Sequence, residues 1–271
     1  VASRLENLGE TLNYGFEVGL GVTPVQMRNL TWESRLNLST NRNRLVSFGD
    51  PSRIKDIPFQ AYNSSGLASA VHQEHRAGYP LGGYWAQLPQ RNADGSYVLN
   101  ATGTAVVLDT ALVFQGSAVP RREISFSNTF TIFRNLRLYA LLDHKGGFYL
   151  YNFKEFNRCQ SNGNCWTVNN PNSTPIERIL AVSNPLQYLE RADFVKLRDL
   201  SLTFTLPQRL AGRAGAENAS VTLAGHNLAL WTDYSGIDPE VNTYANRNFT
   251  RVDAYAAPMM RRVTVSLNLG F

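Results

Sequence analysis

The residues best placed to do chemistry are few. His72-Gln73-Glu74-His75 brings two imidazoles and a carboxylate within four positions. Two histidines three apart with one acid recur by chance, and no further ligand follows at metal spacing, so a solvated loop is favoured over a metal site. Asp233, Asp238 and Glu240 could bind a cation or a polar substrate. Acids beside proline more readily close turns through bonds to nearby backbone. Cys159 and Cys165 are the two cysteines, and they lie in the turn-rich run Cys-Gln-Ser-Asn-Gly-Asn-Cys. A short disulfide-closed loop in an oxidising compartment fits them better than zinc, which would need two more ligands that His72, His75, His144 and His226 do not supply. There is no Gly-rich phosphate loop, no Gly-x-Ser-x-Gly and no His-Glu-x-x-His. The expectation is a protein that is not an enzyme, with no catalytic residue, no metal and no cofactor.

Aromatic residues offer a second kind of chemistry, stacking on sugars or on peptide side chains. Tyr84, Trp85, Tyr149, Tyr151, Trp166, Trp231 and Tyr234 sit in long polar segments or at their edges and are the candidate substrate-binding residues. The competing reading is a girdle at a membrane surface, where Trp and Tyr suit the headgroup level. The girdle is favoured for Trp231 and Tyr234, which end a strand. For Tyr149, Tyr151 and Trp166, deeper in a segment, both readings stand.

The elements that must carry these residues are strands. In 261–271, Val263, Val265, Leu267, Leu269 and Phe271 alternate with Arg262, Thr264, Ser266, Asn268 and Gly270. Alternate side chains leave a strand on opposite faces, so one face is oily and the other wet. The length matches the roughly 9–11 residues of a tilted membrane-spanning strand. The pattern recurs at 12–22, 30–39, 122–133, 136–145 and 199–206, the last within a strand 194–206, and more weakly at 218–231. Short turns join these strands in pairs, one of them at Thr23-Pro24-Val25-Gln26. Long segments, 40–121, 146–193 and 232–260, separate the pairs. Short turns on one side and long loops on the other are the habit of transmembrane barrels. A soluble β-sandwich shows similar alternation, but loops this long are uncommon in compact soluble domains. Strand parity then puts every short turn on one side of the membrane, provided that 40–121 holds zero or two further membrane strands. Tyr79–Leu88 and Thr104–Phe114 are the candidates.

Composition agrees with this fold class, an all-β antiparallel transmembrane barrel segment of about seven to nine strands. The chain has 271 residues and is 43% hydrophobic. It holds no run near the ~18 apolar residues of a membrane-spanning helix. The net charge of +5 is spread along the chain rather than gathered into a patch, which argues against nucleic acid as a partner. Seven strands do not close a bacterial barrel, whose count is even and starts at eight. The whole of 1–271 therefore reads as one portion of a larger barrel, and the start at Val1 as a processed end or a piece of a longer polypeptide.

Several segments resemble the SusC/RagA-type TonB-dependent outer-membrane receptors. Asn7-Leu8-Gly9-Glu10-Thr11-Leu12-Asn13-Tyr14-Gly15-Phe16-Glu17 is similar to the N-x-G-x-x-x-N-x-G-x-E opening of one of their strands. The run 37–46 looks like the following strand, and Gly78-Tyr79-Pro80-Leu81-Gly82-Gly83-Tyr84-Trp85 like their G-x-P-x-G-x-aromatic segment. The run 192–207, ending Phe204-Thr205-Leu206-Pro207, resembles a late strand. Asn227-Leu228-Ala229-Leu230-Trp231-Thr232-Asp233-Tyr234-Ser235-Gly236-Ile237-Asp238-Pro239-Glu240 matches their N-L-x-x-W-T-x-Y-x-G-x-D-P-E loop. These come in the family's order and close on an aromatic, Phe271.

The resemblance covers nearly the whole chain and implies the C-terminal part of a barrel of ~22 strands in the bacterial outer membrane. Val265, Leu267, Leu269 and Phe271 would then form the signal read by the barrel-assembly machinery. The implied activity is import of oligosaccharides or peptides. The implied partners are the lipid bilayer, a SusD-like surface lipoprotein lid and the TonB complex, the last through an N-terminal part with plug and TonB box. A structural or adhesive outer-membrane subunit without transport is the alternative. One departure stands out. Many members carry an Asp-rich calcium-like segment before the strand at 122, whereas Arg91-Asn92-Ala93-Asp94-Gly95 lacks the paired acids.

Overall fold

All seven alternating runs become strands of one antiparallel sheet. The computed structural model describes residues 9–49, 56–59, 70–243 and 250–271; Asn7 and Leu8 of the first family-like segment lie outside them. The strands of the main sheet are β1 (Glu10–Met27) and β2 (Leu30–Ser47), then β7 (Arg122–Ile132), β8 (Leu136–Gly146), β11 (Phe194–Thr205), β12 (Asn218–Thr232) and β13 (Arg262–Gly270). They pair in the order β1-β2-β7-β8-β11-β12-β13.

Register shows why this order is stable. Residues paired directly across a sheet share a face. One line of partners crosses all seven strands as Val25, Trp32, Phe130, Leu138, Leu202, Leu223 and Val265. The neighbouring line is Gln26, Thr31, Thr131, Arg137, Thr203, Thr222 and Ser266. The first is wholly apolar and the second wholly polar. The sheet is thus a wall with one oily face, and the oily side chains lie in the open: Leu12, Phe16, Leu20, Leu202, Val265 and Leu267 are all exposed. An apolar face of this extent on a monomer marks a membrane or protein contact. No helix among the described residues is long and apolar enough to cross a membrane.

One turn differs from its sequence reading. The turn expected at Thr23-Pro24-Val25-Gln26 is strand. β1 runs on to Met27 through a register shift between Val22 and Val25, and the reversal falls at Arg28-Asn29. Proline donates no N–H to a ladder, so an irregular step is where a strand accommodates one. The β7–β8 reversal is Phe133-Arg134-Asn135, closed by the Ile132–Leu136 pair. β1 and β2 are also longer than membrane crossing requires. At 18 residues each they project past the wall at the end opposite the short turns.

At that end two of the three long segments are not loops, while the described part of the third, 232–260, forms turns and bends only. The first holds β3 (Asp56–Phe59), β4 (Val71–Arg76), β5 (Gly83–Pro89) and β6 (Leu108–Gly116), which form their own sheet in sequence order. The candidate membrane strands Tyr79–Leu88 and Thr104–Phe114 therefore belong to this second sheet, and among the described residues 40–121 adds none to the wall. The second segment carries β9 (Tyr149–Tyr151), α1 (Phe153–Gln160), α2 (Trp166–Asn169), α3 (Pro175–Ser183) and β10 (Leu189–Arg191). Thr174 and Glu177 cap α3 reciprocally, which satisfies backbone donors that a helix start leaves open. The last helix, α4 (Gln208–Ala211), lies in the β11–β12 turn at the other end.

Candidate functional site

The three long segments close into one packed cap. Val71, Tyr84 and Ala86 from the first meet Tyr151, Phe153, Phe156, Ala181 and Tyr188 from the second and Val252 and Ala254 from the third in a single buried cluster. Phe148, Leu150 and Ala192 form a second buried cluster with Phe194 of the wall and with Tyr234 and Val241. Polar bridges cross the same seams. Gln73 is buried; it donates to the Gly82 carbonyl at 2.7 Å and accepts from the Arg251 N–H at 2.7 Å. The Tyr84 hydroxyl donates to the Arg251 carbonyl and accepts from the Tyr151 N–H at 3.3 Å. Tyr234 donates to the Asp253 carboxylate at 2.9 Å. Burial pushes the Tyr84, Tyr151 and Tyr234 hydroxyls above their ordinary range, so each stays protonated as a structural group.

This packing places the seven candidate aromatics. Tyr84, Trp85, Tyr151 and Tyr234 are buried, which corrects the expectation that they form an exposed stacking surface and removes Tyr234 from a girdle. The Arg76 guanidinium lies 3.7 Å from the centre of the Trp85 ring, whose edge meets Tyr79. Tyr149 is half-buried against the main cluster, fitted where Gly116 leaves room: a Cβ there would stand 2.4 Å from its ring. Trp231 is 55% exposed and pairs with Val195. It therefore lies in line with Val195, His144, Ile124, Leu38 and Val18, on the face that carries the oily residues. Trp166, 75% exposed, is the one tryptophan the cap turns outward.

The other candidates also find places. Cys159 and Cys165 form a disulfide with Cα atoms 4.9 Å apart, joining the end of α1 to the start of α2. Glu155 lies beside them, but with both sulfurs bonded to each other the trio does not make a metal site. His72-Gln73-Glu74-His75 is strand β4 rather than a solvated loop. Glu74 is buried between His72 at 2.7 Å and Arg76 at 2.6 Å, and burial holds His75 below its usual range. Asp94 accepts from the N–H and hydroxyl of Ser96 and so closes a turn.

The feature that sequence reading missed is an ionic cluster where cap meets wall. Lys196 of β11 donates to both oxygens of Asp238, at 2.9 and 2.8 Å, and to Glu240 at 2.6 Å. Arg198 donates to Asp143 of β8 at 2.6 Å, to Glu240 at 2.9 and 3.0 Å, and to Asn227 at 3.2 Å. Asp238 also accepts the Glu240 N–H at 2.9 Å, so it closes its turn as expected and pairs with a cation as well. Burial alone would raise the Glu240 carboxyl, but bonds from Arg198 and Lys196 outweigh it and hold the group down to about 2. Lys196, Arg198 and Asp143 all project to the wet face. At the same level of that face Glu17, Asn37, Ser39, Glu123, Ser125 and Asp143 line a cavity of about 400 Å³.

A wall of seven antiparallel strands, oily outside and ionic inside, with every long connection packed at one rim, defines a segment of a transmembrane β-barrel. No family model matches the chain. It is similar over 99% of its length to TonB-dependent receptor P26 of Formosa agariphila, 25% identical over 297 residues, and over its full length to TonB-dependent receptor P3 of the same organism, also 25% identical. The chain spans 30% of each of these relatives. The solved RagAB peptide transporter shares its fold over 98% of the chain and 30% of its own, with a TM-score of 0.73 at 19% identity. The RagAB peptide importer in its closed-closed state gives 0.71 at 20% identity over the same shares. The resemblance to TonB-dependent receptors of the SusC/RagA type is borne out.

Proposed function

We propose that this chain is the C-terminal part of the barrel of a TonB-dependent outer-membrane receptor that imports oligosaccharides or peptides. The observation that carries the reading is the amphipathic wall joined to a folded cap at one rim only. Such a wall needs lipid on one side and water or a plug on the other. The cap gives the outer end a rigid surface from which a substrate is captured, and the disulfide within it suits an oxidising compartment. Trp166 and the accessible edge of Tyr149 are the aromatic contacts on offer to substrate. Val265, Leu267, Leu269 and Phe271 serve as the assembly signal, and a SusD-like lipoprotein closes over the cap. Similarity to TonB-dependent receptors and the shared fold of the RagAB peptide transporter support this reading.

The test is uptake. Cells lacking the intact gene product would be supplied with labelled oligopeptides or oligosaccharides, with and without the native protein and with TonB removed. TonB-dependent uptake of one class supports the proposal and names the substrate. A native protein that sits in the outer membrane yet restores no uptake of either class sinks it in favour of a structural or adhesive subunit.

A further inference from the structure

The rim opposite the cap carries the second feature of interest. Its three turns are neighbours in the sheet and are tied laterally: the Phe133 N–H donates to the Asn29 carbonyl at 2.9 Å, and the Thr205 N–H to the Asn135 carbonyl at 2.8 Å. Each turn carries arginine: Arg28 in the first, Arg134 in the second, Arg209 and Arg213 in the third. All four are exposed, and among the described residues none has a carboxylate within ion-pair distance. Glu217 is the only acid in these turns. Interleaved with the arginines are large apolar side chains turned outward, Met27, Leu210 and Phe133, the last 68% exposed.

The middle turn is built against local preference. Phe133 and Arg134 both have left-handed backbone, φ 49° and 65°. Two successive positive φ values are the geometry that Asn-Gly satisfies without strain. A bulky residue there is strained.

We infer that the short-turn rim is a docking surface for anionic phospholipid headgroups of the periplasmic leaflet. The inference rests on the proposed barrel and its orientation. The guanidinium groups match phosphate in charge and in the geometry of paired donors. The apolar side chains between them enter the acyl boundary while the arginines stay at headgroup level. Laterally bonded turns hold the four cations as one strip along the membrane edge.

The test uses the intact polypeptide that contains this chain, in nanodiscs of phosphatidylcholine with increasing phosphatidylglycerol, with retained lipid counted by native mass spectrometry. The unmodified protein should retain phosphatidylglycerol in preference to phosphatidylcholine. A variant carrying Arg28→Gln, Arg134→Gln, Arg209→Gln and Arg213→Gln should retain it at least about tenfold more weakly, because all four cations facing the anionic surface are removed together. Arg91→Gln with Arg178→Gln in the cap should change nothing. Phe133→Asn with Arg134→Gly keeps the test open if the fourfold variant misfolds: it should unfold at a higher temperature and still retain less phosphatidylglycerol. Unaltered retention in either folded variant, or no preference in the unmodified protein, overturns the inference alone. A protein that enters no bilayer and shows no heat-modifiable migration overturns the barrel reading, and the inference with it.

Discussion

Lys196 on the inward face of β11 and Asp238 in the segment after β12 are locked together by two hydrogen bonds, with side chains only 4% and 6% exposed. They are 42 positions apart in the chain. Their pairing fastens the last long connection to the wall. Arg198, Glu240 and Asp143 extend the contact to β8.

The cluster has a predicted order of sensitivity. Lys196→Ala leaves Asp238 buried without a counter-charge and should cost about 3–5 kcal/mol. Glu240→Gln leaves Lys196 with Asp238 and Arg198 with Asp143, and should cost clearly less. The temperature at which the heat-modifiable form of the intact protein is lost would rank the two. A reversed order would mean that Glu240, not Asp238, is the anchor.

Acid should loosen the same joint. Glu240 faces Lys196, Arg198, Asp143 and Asp238, and its folded-state carboxyl titrates near 2 against an ordinary value of 4.5. A depressed folded pKa contributes stability that is present above the unfolded value and is lost as pH falls through the folded one. Protease resistance of the cap should therefore fall between pH ~4.5 and ~2. Asp253, raised by burial, acts with the opposite sign and does not produce an acid loss. The Glu240→Gln protein should show a flatter profile over this window, and an unchanged profile would assign the acid sensitivity elsewhere.

The two faces of β13 should tolerate charge unequally. Leu267 pairs with Val221 on the oily face, and Ser266 with Thr222 on the wet one. Leu267→Arg should cost roughly 2–4 kcal/mol if that level is near the membrane midplane, whereas Ser266→Arg should be nearly silent. Folding yields into vesicles, compared side by side, decide it; equal tolerance contradicts the orientation of the strand.

The Cys159–Cys165 bond closes a loop of six positions. Its loss should remove about 2–3 kcal/mol, chiefly from the α1–α2 corner of the cap. Non-reducing peptide mapping checks the bond itself. Local proteolysis around Trp166 after Cys159→Ser with Cys165→Ser checks where its effect is felt.

The wall was legible in the sequence because its two faces meet different solvents, so period-two alternation survives in 12–22, 30–39, 122–133 and 261–271. The cap was not. Its buried groups come from far-separated positions: Gln73 bonds to Arg251 across 178 residues, and neither lies in an alternating run. Tyr84, Tyr151 and Tyr234 looked like binding aromatics for the same reason, since a core assembled from three segments leaves no periodic trace in any one of them. The ionic cluster did leave a signal. Lys196, Arg198 and Asp199 crowd one strand and disturb its alternation, and Asp238-Pro239-Glu240 follows downstream. That signal does not stand out as a site, because clean alternation starts only at Asp199.

That disturbance has a consequence for assembly. β11 shifts register against both β8 and β12 between Leu197 and Asp199, and Asn227 opposite adopts φ 53°. Above the shift even-numbered residues such as Lys196 face inward; below it, odd-numbered ones such as Ser201 do. A strand of unbroken alternation sliding past its neighbour by two residues keeps its oily side to the lipid and meets no penalty for stopping early. A bulged strand cannot, because any slide sets its reversal of phase against a partner that lacks one and turns a lysine or an arginine outward. The irregularity thus serves as an index notch that tells the native alignment of β11 from its two-residue slips.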